Sequence, residues 1–182
     1  MLRERIFEPV GMTDTLLRRV DSDFVPNSAT LHMLGRDGSF TRDYLGMEVS
    51  GEGGMVSTVD DMLRWMAHMD HPVVGTPETW AGMKTPYVLE NGYSTRYALG
   101  LSVGGYRGQT TIEHGGTVMG GGGQMIKAVE AGLDIIVIAN RAGVDAMSLA
   151  DRIIDACVPD LGPPLDDLPG VNVSGLYYAE AT

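Results

Sequence analysis

Two stretches of the chain repeat apolar side chains at the three- and four-residue spacing of an amphipathic helix. The first follows Ser57 and Thr58, either of which can cap a helix, and Pro72 ends it. We assign its methionines and tryptophan to core packing rather than to a cofactor site. The second covers 144–158, and its apolar face carries Met147, Ala150, Ile153, Ile154 and Cys157.

Turn and breaker residues predict two shorter helices. Residues 1–10 fit the last turns of a helix that Pro9 and Gly11 end. Residues 77–83 fit a second one, because proline is favoured in the first turn of a helix. Over 11–50 the apolar spacing is irregular, and we predict a long excursion with short turns.

After residue 96 the spacing changes to that of β-strands. Four strands are predicted, with Ala131–Gly132 as a tight turn between the last two. Such sharp returns favour antiparallel pairing. The sequence therefore predicts an α+β fold, an antiparallel β-sheet flanked by helices. The predicted strands are Tyr97–Val103, Thr110–Glu113, Gly123–Val129 and Leu133–Asn140.

The end of the chain differs in composition from the rest. Proline, glycine and aspartate are frequent over 159–170, which is typical of a linker. Val171–Tyr178 resembles a strand, so we interpret 171–182 as the start of a further domain that is cut off. The main domain then covers 1–158.

The charge and cysteine content exclude several classes of partner and site. With 13 basic and 24 acidic residues, the net charge of −11 disfavours nucleic acid and anionic lipid as partners. No run approaches the roughly 20 apolar residues of a membrane helix. Cys157 is the only cysteine, which excludes an intrachain disulfide and a multi-cysteine zinc site. This suits a reducing compartment; we leave localisation open and favour the bacterial cytoplasm.

Three features that suggest ligand sites have structural interpretations instead. His68 and His71 have the spacing of two metal ligands but no third ligand nearby, and we interpret them as surface residues at a helix end. The glycine-rich stretch 115–123 lacks the lysine and hydroxyl residue of a phosphate-binding loop. Adjacent acidic pairs do not face each other on a helix, so we interpret Asp60–Asp61 and Asp166–Asp167 as solvated or capping. We expect no metal and no cofactor.

The best candidate for chemistry is the run 112–117, Ile-Glu-His-Gly-Gly-Thr. We predict that a strand carries His114 to its end and that the glycines open space beside it. His114 can then move a proton or bind a substrate group, and strand-edge N–H groups can hold an oxyanion. Taken alone, a histidine before two glycines is more often a turn residue than a catalyst.

Five segments of the chain occur together in a specific order: Arg5–Met12, Gly51–Trp65, Tyr97–Leu101, His114–Gly116 and Leu133–Asn140. Together they resemble the serine β-lactamase-related family, which includes class C β-lactamases, penicillin-binding DD-peptidases, D-aminopeptidases and esterases. The resemblance covers 1–158 and implies a β-lactamase/transpeptidase-like fold.

The resemblance also implies roles for individual residues. His114, Gly115 and Gly116 stand where the family has the His-x-Gly variant of its third motif, although Glu113 replaces the usual preceding glycine. His114 is thereby implied as catalytic, and Gly115, Gly116 and Thr117 as substrate-binding. The backbone N–H of Thr117 would serve the oxyanion hole, and Tyr97 and Met119 would be wall residues at most.

The family's other two motifs, Ser-x-x-Lys and Tyr-x-Asn, do not occur in this sequence. Neither Lys84 nor Lys127, the only lysines, lies three residues after a serine. A serine without a base beside it is a weak nucleophile, so we expect the chain alone to be inactive. In the family both motifs precede the matching segment, so we interpret the chain as the C-terminal portion of an incomplete domain whose N-terminal half is missing.

Three hypotheses for function remain open at this point. The first is part of a serine hydrolase that acts, when intact, through an acyl-enzyme on small amides, D-aminoacyl peptides, lactams or esters. The second is a non-catalytic scaffold or binding module, and the third is a half-enzyme completed by a second chain. The histidine in the third motif favours a D-aminopeptidase or esterase over a β-lactamase.

Overall fold

A computed structural model describes residues 1–20, 22–44 and 53–164. The predicted strand at 171–178, the pair Asp166–Asp167 and most of the predicted linker lie outside the described residues. The same holds for the start of the segment Gly51–Trp65.

The chain begins with a π-helix, Arg3–Phe7, that continues as α1, Glu8–Val10. Gly11 ends it in the left-handed conformation, with φ of 80°, which glycine adopts without strain. The prediction that Pro9 ends the helix is wrong. Pro9 lies inside the helical segment, directly before its last residue, Val10, and Gly11 ends the helix.

The predicted excursion over 11–50 contains short strands that the irregular spacing did not indicate. Strand β1, Leu16–Leu17, pairs with β4, Met55–Val56. Strands β2, Leu31–Leu34, and β3, Phe40–Asp43, form an antiparallel hairpin.

Two helices follow as predicted. Helix α2 spans Val59–Asp70, and the Thr58 side chain caps it by accepting a hydrogen bond from the Asp61 N–H. Helix α3 spans Pro77–Met83, and Thr76 caps it in the same way through the Thr79 N–H.

The central sheet has the order β5-β6-β7-β8, and all its pairs are antiparallel, as predicted. Its strands are β5, Ser102–Tyr106; β6, Gln109–Val118; β7, Gly121–Ala128; and β8, Leu133–Ala139. The first strand was predicted too early, because the left-handed backbone of Arg96 and Gly100 prevents a continuous strand from Tyr97.

Helix α4, Ala146–Cys157, starts at Asp145, whose side chain accepts from the Ser148 N–H. Its buried stripe is Ala146, Ala150 and Ile154. Met147, Ile153 and Cys157, which we had placed on the apolar face, are exposed. Small residues at the centre of the stripe let the helix approach the sheet closely.

The core has one cluster on each face of the sheet. On one face, α4 packs on the sheet through Ile126, Ala128, Ile135, Ala150 and Ile154. On the other face, helices α2 and α3 supply Met69 and Trp80, which pack on Leu101 and Ile112. Burying each such side chain contributes about 1.5–3 kcal/mol, so both clusters hold the strands in place.

A buried lysine links α2 to the sheet. The Nζ atom of Lys127 lies 2.7 Å from an Asp70 oxygen and 2.5 Å from an Asp134 oxygen. Burial alone would lower the pKa of Lys127, but its hydrogen bonds to Asp134 and Asp70 outweigh that effect and raise the pKa. Lys127 therefore stays charged and serves a structural role.

Candidate functional site

Strand β6 extends beyond its neighbour β5, and this creates an open sheet edge. Strand β5 pairs only with Gln109–Glu113, whereas β7 pairs with β6 as far as Val118. In the part of the chain that the structure describes, residues 114–118 therefore have a neighbouring strand on one side only. We had predicted that the strand ends at His114; instead it continues through the glycines, because β7 keeps pairing with them.

The hydrogen-bond alternation shows which backbone groups face this open edge. The Val103 N–H donates to the Arg96 carbonyl, away from β6, and the Val129 N–H donates to the Thr110 carbonyl on the side of β7. Because successive residues of a strand direct their N–H and C=O groups to opposite sides, odd-numbered residues of β6 face the side of β5. Beyond the end of β5, Gly115 and Thr117 direct their N–H groups at the open edge.

His114 lies beside this edge with its side chain exposed. Its Nε2 atom is 3.1 Å from the hydroxyl oxygen of Tyr97, and the two ring centres are 6.1 Å apart. Side chains of a strand alternate between faces, so His114 shares the face of Ile112, where α2 and α3 pack. Tyr97, which we had assigned to the wall at most, is thus a hydrogen-bond partner of the candidate residue.

The two glycines after His114 meet different constraints. A Cβ atom on Gly115 would collide with the Oε1 atom of Gln124, whose side chain is buried beside it. A Cβ atom on Gly116 would meet nothing within 4 Å. Packing therefore explains Gly115, whereas Gly116 leaves open space on the face that carries His114.

Glu113 lies on the opposite face of the sheet from His114. Burial raises the pKa of its carboxyl, the nearby Asp151 adds to this, and a 3.4 Å hydrogen bond from Gln124 Nε2 opposes it. Glu113 therefore lies on the side of the sheet where α4 packs, and its carboxylate does not contact His114.

A shallow cavity of about 280 Å³ opens between the glycines of β6 and β7 and the start of α4. Gly115, Gly116 and Thr117 line it with Gln124 and Asp145, but His114 and Tyr97 do not. The four site residues predicted from the sequence are thus consecutive on one strand, with His114 directed to one face and Thr117 to the other.

The family model for Beta-lactamase matches residues 1–158. The chain belongs to this family. The resemblance found in the sequence is confirmed, as is the α+β fold with its antiparallel sheet. A search of curated proteins finds no match.

Several solved structures have a similar fold at low sequence identity. The octameric penicillin-binding protein homologue from Pyrococcus abyssi has a TM-score of 0.72 at 20% identity, over 85% of this chain and 36% of that one. D-amino acid amidase from Ochrobactrum anthropi SV3, complexed with L-phenylalanine amide, has a TM-score of 0.64 at 23% identity, over 85% and 49%. D-stereospecific amidohydrolase from Streptomyces sp. has a TM-score of 0.67 at 16% identity, over 86% and 47%. The chain spans less than half the length of each.

We predicted that His68 is a surface residue, and in this Beta-lactamase family chain that prediction is wrong. The His68 ring is buried between Trp65 and Trp80, with ring centres 5.6 and 5.1 Å away. The Val73 N–H donates to Nδ1, and burial lowers the pKa of the imidazole. Among the described residues no group of three histidine, cysteine or acidic side chains could hold a metal ion.

Asp61 also differs from its prediction as a solvated or capping residue. It is fully buried, and its carboxylate accepts hydrogen bonds from the Asp14 N–H, the Thr15 hydroxyl and Arg64.

In the described ranges no helix is long and apolar enough to cross a membrane.

Sequence reasoning placed Tyr97 in the wall of the site at most and did not predict its hydrogen bond to His114. Tyr97 lies 17 positions before His114, and no local spacing links the two residues. The only available signal was its position at the start of the family-like segment Tyr97–Leu101.

Proposed function

We propose that this chain supplies the substrate-binding strand of a serine hydrolase that works through an acyl-enzyme. The observation that carries this proposal is the open edge of β6, where the Thr117 N–H points outward three residues along the strand from His114. An edge strand of this kind can pair with an extended substrate and leave one N–H for a developing charge.

The proposed reaction needs a serine that this chain does not provide. A base of the completing segment takes the proton of a serine hydroxyl as its oxygen attacks the substrate carbonyl, and this is the proton that the leaving group later receives. The carbonyl oxygen becomes an oxyanion that accepts a hydrogen bond from the Thr117 N–H. The bond to the leaving amine or alcohol then breaks, and the leaving group takes a proton. Water afterwards hydrolyses the acyl-enzyme. The serine with its lysine, and the tyrosine base, would come from a segment carrying Ser-x-x-Lys and Tyr-x-Asn.

Within this reaction, His114 holds or protonates a polar group of the substrate. It is exposed on the face where Gly116 leaves open space, so a substrate on that face can reach it. We favour small amides, in particular amides of D-amino acids. The amidases with the same fold and the histidine in place of the third-motif lysine support this choice.

The sharpest test removes the Thr117 N–H, with a control for the loss of the threonine side chain. In protein assembled with a segment that carries both missing motifs, Thr117→Pro is expected to lower kcat/KM for a D-amino acid amide by roughly 100- to 1000-fold. Proline is tolerated at an unpaired strand edge, so the fold should survive. Thr117→Ala keeps the N–H and serves as the matched control, with activity expected close to wild type.

Two outcomes would count against this assignment. If folded Thr117→Pro protein keeps wild-type kcat/KM, the N–H does not hold the oxyanion. If the assembled protein gives no serine adduct with a fluorophosphonate in intact-mass measurements, the chain does not serve a serine hydrolase. The 182-residue chain alone is expected to give no adduct.

A second candidate is a non-catalytic binding module that uses the same strand. The observation that favours it is that no serine in the sequence is followed by lysine at the third position. Such a module would bind a D-amino acid amide in the assembled protein, show no turnover, and lose binding in Gly116→Val.

A further inference from the structure

We propose that Tyr97 is a positioning residue that holds His114 in the tautomer with its proton on Nδ1. This inference rests on the proposed function in one respect, since it assumes that His114 forms a hydrogen bond to a substrate. It goes beyond that function because it names the residue and the hydrogen bond that decide which ring nitrogen can donate.

The 3.1 Å contact between the Tyr97 hydroxyl and Nε2 of His114 has a preferred direction. A phenol, with a pKa of about 10, is a far better hydrogen-bond donor than the N–H of a neutral imidazole. The basic nitrogen of imidazole is in turn a better acceptor than a phenol oxygen. The hydroxyl therefore donates to Nε2, and the ring proton resides on Nδ1.

The backbone around Tyr97 is held firmly enough to make this contact persistent. Its carbonyl accepts hydrogen bonds from the Tyr87 N–H, at 2.9 Å, and from the Thr95 hydroxyl, at 3.0 Å. Its own N–H donates to the Thr95 Oγ1 atom, at 3.2 Å. Tyr97 also forms a β-bridge with Ser102, whose partner on β6 is Glu113, the residue before His114.

The residue before Tyr97 has a strained backbone that fits the same role. Arg96 has a φ of 56°, a left-handed conformation that is strained for a residue other than glycine. The Val103 N–H donates to the Arg96 carbonyl at 2.8 Å and holds it there. The turn at Arg96 thus immediately precedes the residue whose hydroxyl contacts His114.

The consequence is a defined N–H donor at the site. Among the described residues, Nδ1 of His114 has no hydrogen-bond partner. With Nε2 occupied by Tyr97, Nδ1–H is the group left to donate to a carbonyl or carboxylate oxygen of a substrate. A histidine free to exchange tautomers would offer this donor only part of the time.

The test reads the tautomer directly in the 182-residue chain, without substrate. Long-range proton–nitrogen correlation spectra of ¹⁵N-labelled protein, recorded at a pH where imidazole is neutral, about 8.5, distinguish protonated from unprotonated ring nitrogens. His114→Gln assigns the His114 signals by their loss. In wild type, Nδ1 is expected to carry the proton; in Tyr97→Phe the two nitrogen shifts should converge or exchange order.

Two further variants make the result specific. Tyr93→Phe removes an exposed phenol, four residues before Tyr97, that has no ring contact with His114, and the His114 nitrogen shifts should stay unchanged. Thr95→Val removes a hydroxyl that holds Tyr97, and it should move the His114 shifts in the same direction as Tyr97→Phe. It also provides an independent test if Tyr97→Phe fails to fold.

A wild-type spectrum with the proton on Nε2 would overturn the proposal, as would unchanged His114 shifts in both Tyr97→Phe and Thr95→Val. These results are independent of the hydrolase assignment. A chain with the expected tautomer but no oxyanion effect at Thr117 would retain the Tyr97–His114 pair and lose the proposed reaction.

Discussion

His68 is a buried histidine whose two ring nitrogens have different surroundings. Nδ1 accepts from the Val73 N–H, which leaves the proton on Nε2. Nε2 is buried and has no hydrogen-bond partner among the described residues, although the Trp80 ring is close to it. A second proton on this ring would break the bond from Val73 and place a charge between two indole rings.

We therefore expect His68 to make the protein less stable at acidic pH. Burial lowers its pKa in the folded chain, whereas a histidine in the unfolded chain titrates near 6.5. Below that pH the unfolded chain binds more protons than the folded chain, so stability falls as pH decreases. Denaturant unfolding at about pH 7.5 and about pH 5.5 should show a smaller pH-dependent loss in His68→Gln than in wild type.

His71→Gln is the matched control, because His71 is exposed at the end of the same helix. Its pH-dependent loss should equal that of wild type. Equal losses in wild type and His68→Gln would show that His68 does not cause the acid sensitivity.

These residues also show what a sequence cannot reveal at this scale. His68 and His71 are both histidines near a helix end, and Asp60 and Asp61 are both acidic residues in a first turn. One member of each pair is buried because residues distant in sequence, Trp80 for His68 and Thr15 for Asp61, cover it. Local spacing contains no information about these partners.

At the scale of elements, Asp61 ties the segment before β1 to the start of α2. Its carboxylate bonds to the Asp14 N–H at 2.8 Å, the Thr15 hydroxyl at 2.7 Å and Arg64 at 2.7 Å. The Asp61 N–H in turn donates to the capping Thr58. One side chain thus satisfies donors from a loop, a strand end and a helix.

Removing this carboxylate is expected to destabilise the protein strongly. Asp61→Ala removes the acceptor of the buried Thr15 hydroxyl and of the partly buried Asp14 N–H and Arg64 donors, and such a loss costs roughly 1–3 kcal/mol. Asp60→Ala removes the exposed neighbouring charge and should cost about 0.5 kcal/mol or less. Urea unfolding monitored by circular dichroism measures both, and similar costs for the two variants would contradict the role of Asp61.

Elements with a strong local signal were predicted well, and those held by distant contacts were not. Helices α2 and α3 start at capping threonines, and the four sheet strands alternate with turn residues. The β2–β3 hairpin was missed because it is held from outside. The His32 N–H donates to the Gly120 carbonyl, and a Cβ atom on Gly120 would lie 2.7 Å from the Leu31 Cβ atom.

The candidate site shows the same division. The sequence identified His114 and the residues that follow, since a histidine and two glycines form a local pattern. It could not show that β6 extends beyond β5, which depends on β5 beginning only at Ser102, opposite Glu113. It could not show the Tyr97 contact either, because that contact depends on the turn at Arg96.

At the scale of the whole molecule, the two outer edges of the central sheet, β5 and β8, differ from each other. Strand β5 is short, and the turn before it bonds to it through Arg96 and Tyr97. Strand β8 has seven residues, and in the described part of the chain no strand pairs with its outer side. On helix α4, the side chains of Leu149 and Ile153 are exposed. They lie on the side of the helix opposite Asp155, and Asp155 bonds to Arg107 beside β5. An unpaired apolar strand next to exposed apolar side chains favours association.

We expect this edge to cause concentration-dependent association of the 182-residue chain. A lysine on an edge strand opposes such pairing, because two strands would have to bury its charge. Ile138 is 54% exposed on β8, so Ile138→Lys should leave the fold intact and shift the chain towards monomer. Val73→Lys adds the same charge at a loop residue that is 69% exposed and should leave association unchanged. Sedimentation velocity over a concentration series measures the association of the wild type and both variants, and so separates an effect of the β8 edge from an effect of net charge. If the wild type is monomeric, or if both lysine variants change association equally, the β8 edge is not the cause.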